Sequence, residues 1–182
     1  QGTGDPHFFE VTPRTANEAT AQIDGASPVV YTSNTGQLNV TGGASANDTL
    51  AVSLSNADET VTVNGALVQV TAGASLKTVN YSGMEALIVN GSAGNDTFNV
   101  TPASLPIFVD GGHPIGTTAG DTILLYPPAG PFMVEAGPES DEGGLKATGV
   151  ERVSWDHIEA VVVSGGGPAL ILGTNGDDDI TI

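Results

Sequence analysis

Apolar and polar residues alternate over short stretches of this chain: Thr60-Val61-Thr62-Val63, Leu67-Val68-Gln69-Val70, Phe98-Asn99-Val100 and Ile180-Thr181-Ile182. A period of two places every second side chain on one face of an extended backbone, so each stretch is expected to form a half-buried β-strand. No helix-length window carries a 3.6-residue period free of Gly and Pro. The only helix-compatible piece is residues 17–23. The expected class is therefore all-β.

The strands belong to an internal repeat. Residues 91–102, GSAGNDTFNVTP, align without a gap on residues 2–13, GTGDPHFFEVTP, and residues 173–182, GTNGDDDITI, begin a third copy. Residues 79–89, VNYSGMEALIV, match residues 153–163, VSWDHIEAVVV, with Tyr81 over Trp155 and Glu85 over Glu159. Residues 38–50 answer residues 107–123, with Asn47-Asp48-Thr49 over Gly120-Asp121-Thr122. The spacing between copies varies because insertions fall in Gly-, Pro- and Ser-rich connections, the largest being roughly residues 14–35 and the next Gly165-Gly166-Gly167-Pro168. This divides the chain into a first repeat unit, 1–90, a second, 91–172, and the start of a third, 173–182, within one continuous domain.

Short strands separated by Gly-x-x-x-Asp corners suit a right-handed parallel β-helix or β-solenoid, with about three strands per turn and turns stacked at roughly 4.8 Å. Tandem cadherin- or immunoglobulin-like β-sandwiches are the alternative, since a repeat of this length also fits a sandwich domain.

Composition narrows the function. Lys and Arg number 4 against 21 Asp and Glu, a net charge of −17. Arg14, Lys77, Lys146 and Arg152 are too few and too scattered to make the basic stripe that a phosphate backbone or an anionic lipid surface requires. No apolar run reaches the roughly 20 residues of a membrane helix. With no cysteine there is no disulfide framework, thiolate metal site or cysteine nucleophile, and His7, His113 and His157 stand far apart. An acidic, Lys-poor, cysteine-free chain points to an extracellular or cell-surface location. It starts at Gln1 without a signal segment, as expected of a processed product or a piece of a larger protein.

The string GSAGNDTFNV resembles the Gly-Gly-x-Gly-x-Asp-x-apolar nonapeptide of RTX-type (hemolysin-type) calcium-binding repeats, with Ser92 in place of the second Gly, and residues 174–182 resemble it more loosely. In that family the Gly-rich turn and the Asp carboxylate wrap Ca²⁺ between turns of a parallel β-roll. The resemblance implies Asp96 and Asp178 as ligands, with Phe98 and Ile180 pointing inward. The related corners at Asp48 and Asp121 and the run Asp177-Asp178-Asp179 complete the candidate calcium set. The nonapeptides here occur singly, and Asn-Asp and Gly-Asp are also ordinary turn formers whose carboxylates bond local backbone. The stretch from Met84 through Glu85 and Gly94-Asn95-Asp96 to Phe98 resembles the large repeat proteins of bacterial surfaces and secretomes, which implies a spacer, stalk or adhesive role.

The expectation is a structural or adhesive, non-enzymatic module, stabilised by Ca²⁺ and able to stack head to tail through residues 2–11 and 173–182, with neighbouring repeats or a surface glycan as partners. The alternative is a β-helix polysaccharide-active enzyme or carbohydrate-binding module, for which Asp121, Asp156 and Glu159 are the candidate acids. A corner Glu repeated in each unit, as at 85 and 159, more readily caps backbone or stands beside calcium than does chemistry.

Overall fold

A computed structural model describes residues 5–32, 36–43, 47–72, 74–76, 78–116 and 120–173. The strands in chain order are β1 (Phe8–Thr15), β2 (Glu18–Ile23), β3 (Val29–Thr32), β4 (Gln37–Thr41), β5 (Thr49–Ser53) and β6 (Thr60–Asn64). They continue with β7 (Leu67–Ala72), β8 (Ala74–Ser75), β9 (Thr78–Ser82), β10 (Ala86–Asn90), β11 (Thr97–Val100) and β12 (Ile107–Asp110). The last are β13 (Thr122–Leu125), β14 (Phe132–Ala136), β15 (Gly143–Ala147), β16 (Val153–Asp156), β17 (Ala160–Val163) and β18 (Ala169–Leu172). Among the described residues there is no helix, and the one helix-compatible piece is strand β2, paired antiparallel with β1.

The strands form two open, mixed sheets. The first runs β18-β14-β15-β16-β12-β10-β5-β1-β2-β3, the second β17-β13-β11-β6-β7-β9-β4, with β8 beside β7. At the centre of the first sheet β1, β5, β10, β12 and β16 lie parallel and in register. In the second, β6, β11, β13 and β17 do the same. The chain passes from one sheet to the other, β5 to β6, β10 to β11, β12 to β13 and β16 to β17, so each of these excursions contributes two strands, where about three were expected.

Parallel register stacks like on like. In the first sheet Phe9, Leu50, Leu87, Ile107 and Val153 make one inward row, and Val11, Val52, Val89, Val109 and Trp155 a second. In the second sheet Val61, Phe98, Ile123 and Val161 make one inward row, and Val63, Val100, Leu125 and Val163 a second. All of these but Val161 and Val163 are buried, in a single hydrophobic cluster. The alternation in sequence thus converts directly into burial, since a one-residue slip would turn each row toward solvent.

The described part of the excursion expected over residues 14–35, up to residue 32, is built of strands. Its strands β2 and β3 extend the first sheet by antiparallel pairing beyond β1. A second hairpin, β14 with β15, enters the same sheet at the other end, and β18 joins it through β14. Both sheets run across residues 90 and 91 without a break, because β10 pairs with β5 on one side and β12 on the other.

The aligned repeats occupy opposite sheets. Residues 38–50 lead from β4 in the second sheet to β5 in the first, whereas residues 107–123 lead from β12 in the first to β13 in the second. The same exchange relates β9 and β10 to β16 and β17. What is duplicated is a corner between two inward-facing strands, and either edge of the two-sheet stack can use it.

Candidate functional site

The corners carry the ordered carboxylates. At the edge where the chain leaves the first sheet, Glu59, Asp96, Asp121 and Glu159 each stand immediately before a strand of the second sheet, and register places them in one column. Their side chains climb the column. The Asp96 carboxylate accepts from Glu59 N–H at 2.7 Å, Asp121 from Asp96 N–H at 2.6 Å, and Glu159 from Asp121 N–H at 2.6 Å. Asp96, Asp121 and Glu159 each therefore satisfy the backbone donor of the residue just before the neighbouring strand.

The opposite edge repeats the device. His7, Asp48 and Glu85 precede β1, β5 and β10, and Asp48 accepts from His7 N–H at 2.8 Å while Glu85 accepts from Asp48 N–H at 2.8 Å. The Asp48 carbonyl takes Glu85 N–H and Ala86 N–H, as the Asp121 carbonyl takes Glu159 N–H and Ala160 N–H. Glu85 and Glu159, aligned in sequence, hence perform one backbone-capping role on opposite sheets. The column stops at β12, where Leu105 occupies the next register position.

Glycine makes room for these acids. A Cβ at Gly42, Gly91 or Gly111 would overlap the carbonyl oxygen of Gly83, Gly111 or His157, and would lie 2.7, 2.8 and 2.7 Å from Oδ2 of Asp48, Asp96 and Asp121 respectively. The glycines are needed for close approach, and their partners Gly83 and His157, repeat equivalents, both adopt positive φ, 62° and 54°. Asp48 Oδ2 accepts from Gly43 N–H at 2.6 Å. Among the described residues Glu59 Oε2, Asp96 Oδ2 and Asp121 Oδ2 are buried without a hydrogen-bond partner. Glu59 Oε1 takes the Ser55 hydroxyl.

Sealing carboxyls beneath a corner disfavours their charged form. Burial pushes the Asp96 carboxyl up to about 7; the Glu59 N–H bond opposes this, and the nearby Glu59 and Asp121 reinforce it. Burial likewise lifts Asp121 to about 6, opposed by the bond from Asp96 N–H and reinforced by Glu159, Asp110 and Asp58. His157 is raised chiefly by its 2.8 Å bond to Asp110.

Of the expected calcium ligands, the structure brings Asp96 and Asp121 together in one column and puts Asp48 in the other; Asp177, Asp178 and Asp179 lie outside the described residues. Calcium requires six to eight oxygens around one point. Here Asp96 and Asp121 each give one oxygen to a backbone N–H and have the second shut against a glycine, and Asp48 gives both oxygens to backbone N–H groups. Among the described residues no group of three or more His, Asp or Glu could hold a metal ion. The described corners by themselves do not fit a calcium cage.

No family model, curated protein or solved structure matches this chain.

Glu59 and His7 went unmarked in the sequence because neither has the Gly-Asn-Asp context. A better signal was present: an acid directly before Thr at the head of a strand, as in Asp48-Thr49, Glu59-Thr60, Asp96-Thr97 and Asp121-Thr122, with Glu-Ala as the variant at 85 and 159. Tyr81 and Trp155, aligned by the repeat, are core residues exposed by 7% and 5%. The Tyr81 hydroxyl donates to the Asn64 carbonyl. Of the candidate acids for catalysis, Asp121 and Glu159 are ladder members, whereas Asp156 lies on the outer face of the first sheet beside His157.

Proposed function

We propose that this chain is a β-solenoid-type structural or adhesive module of an extracellular protein, with its corner acids serving as clamps between successive strands. The observation that carries this reading is the coincidence of parallel in-register rows with carboxylate ladders at both edges. A sandwich of antiparallel sheets has no use for a side chain that repeats at strand spacing along an edge, whereas a stack of parallel rungs uses it at every step. The acidic, cysteine-free composition supports the extracellular part.

Most of the segments expected to stack head to tail lie outside the described residues, and the described residues offer the sheet ends for association. Strand β1 is paired on both sides, so residues 8–11 offer no free edge, and residues 2–4 and 174–182 lie outside the described residues. The sheet ends among the described residues are β3 and β4 at one end and β17 and β18 at the other. Val29, Val30 and Tyr31 are exposed at the first, and Val161, Val162, Leu170, Ile171 and Leu172 at the second. Exposed apolar sheet ends are sites of strand addition.

Light scattering across a concentration series, with electron microscopy, tests this. Linear assemblies that disperse on Ile171→Lys or Val30→Lys are expected. A chain that stays monomeric at high concentration, with and without Ca²⁺, would remove the stacking part of the proposal.

A further inference from the structure

The outer face of the first sheet holds a cavity of about 260 Å³ over β12, β15 and β16, away from the carboxylate corners. Its lining includes Phe108, Pro138, Glu142, Arg152 and Asp156. Phe108 and Asp156 point outward because they alternate with the inward Ile107, Val109 and Trp155 along their strands.

Gly143 is part of the lining, and Gly144 follows it on β15. A Cβ at Gly143 would overlap the Trp155 indole, and one at Gly144 would overlap the Arg152 guanidinium, so that guanidinium lies directly on bare backbone. It is held there by Glu135, whose Oε2 accepts from Nη1 at 2.7 Å while Oε1 accepts from Lys146 Nζ at 3.1 Å. Two of the four Lys and Arg residues in a chain of net charge −17 thus converge on one carboxylate beside this cavity. The ion pair engages one side of the fork; a guanidinium has five donors, and its fixed plane suits directional recognition.

We infer that this cavity is a subsite for a neutral hexopyranose unit of a glycan. A sugar ring offers an apolar C–H face and a rim of hydroxyls that both donate and accept. The cavity provides matching parts: Phe108 and Pro138 as apolar walls, Arg152 as fixed donor, Asp156 and Glu142 as acceptors. A uronate or other acidic sugar is disfavoured, because Glu142 and Asp156 line the same cavity as its one guanidinium and the whole molecule repels anions. The inference rests on the adhesive form of the proposed function and supplies the chemistry of what is adhered to.

The test is titration of the full chain, followed by amide chemical shifts, with glucose, galactose and mannose and separately with glucuronate. Saturable shifts with at least one neutral hexose are expected at residues around Phe108, Arg152 and Asp156, and weaker or no shifts with glucuronate. Phe108→Ala and Arg152→Gln should each weaken binding by about tenfold or more, the loss of one good contact, and Phe108→Ala should leave the melting temperature within a few degrees. Absence of saturable shifts with all three neutral hexoses would overturn the inference, as would tighter binding of glucuronate or full binding by Phe108→Ala. Self-association is read separately by light scattering, so a chain that stacks but ignores sugars refutes the subsite alone.

Discussion

Substituting Gly111 by Ala probes the corner where the two sheets, the glycine and the acid ladder meet. The new Cβ would overlap the His157 carbonyl oxygen and stand 2.7 Å from Oδ2 and 2.9 Å from Cβ of Asp121. Two of these three atoms belong to the ladder and the third to the backbone of the adjacent strand, whose Asp156 carbonyl already accepts Gly111 N–H at 3.0 Å. Neither side can retreat without stretching a hydrogen bond. Overpacking of this kind costs about 1–3 kcal/mol, offset by about 0.4–1 kcal/mol from the lower unfolded-state entropy of Ala. A net loss of about 1.3 kcal/mol corresponds to a melting temperature lower by roughly 3–5 °C in a chain of this size. Gly116→Ala is the control: its Cβ would meet nothing within 4 Å, and only its φ of +68° is unfavourable, a cost of about 1 kcal/mol. Thermal unfolding followed by circular dichroism measures both. A Gly111→Ala protein as stable as the parent, or no less stable than Gly116→Ala, would refute the close packing of glycine against the ladder.

Other expectations follow from the same structure. Because Asp96 and Asp121 are raised to about 7 and about 6 from 3.8, their contribution to stability is complete below their unfolded value near 3.8 and is lost as pH rises through 6 to 7. His157, also raised, acts in the same direction above its ordinary value. The melting temperature should therefore fall between pH 5 and pH 8, and Asp96→Asn should flatten that fall; a stability that rises over this window would contradict the burial of these acids. Phe98→Ala, at a fully buried position in the second sheet, should cost about 3–5 kcal/mol in a denaturant titration. Val161→Ala, in the same row but 40% exposed, should cost under about 1 kcal/mol; equal losses would refute the row as described. Millimolar Ca²⁺ and Mg²⁺ should shift the melting temperature alike. A calcium-specific shift that disappears in Asp121→Asn would show that this acid binds metal, not backbone alone.

How far the sequence reached can be judged from particular residues. Period-two alternation in Thr60-Val61-Thr62-Val63 and Phe98-Asn99-Val100 determined strand and inward face, because in an extended chain the facing of a side chain follows from its parity alone. Repetition of Glu85 and Glu159 determined a shared backbone-capping role, because a corner that recurs with its acid needs that acid for the corner itself. Local pattern could not determine which sheet a strand enters. The corner of residues 38–50 and its copy at 107–123 read alike and lead in opposite directions, since the choice is made by which strand is already present to accept hydrogen bonds. Nor could it show that Asp96 bonds to Glu59 N–H or that Asp121 bonds to Asp96 N–H, because those partners are brought within 3 Å only when β6, β11 and β13 align in register. The fate of residues 14–35 was tertiary for the same reason. As isolated sequence they read as an insertion, and they became β2 and β3 because β1 left one edge of the first sheet open to antiparallel pairing.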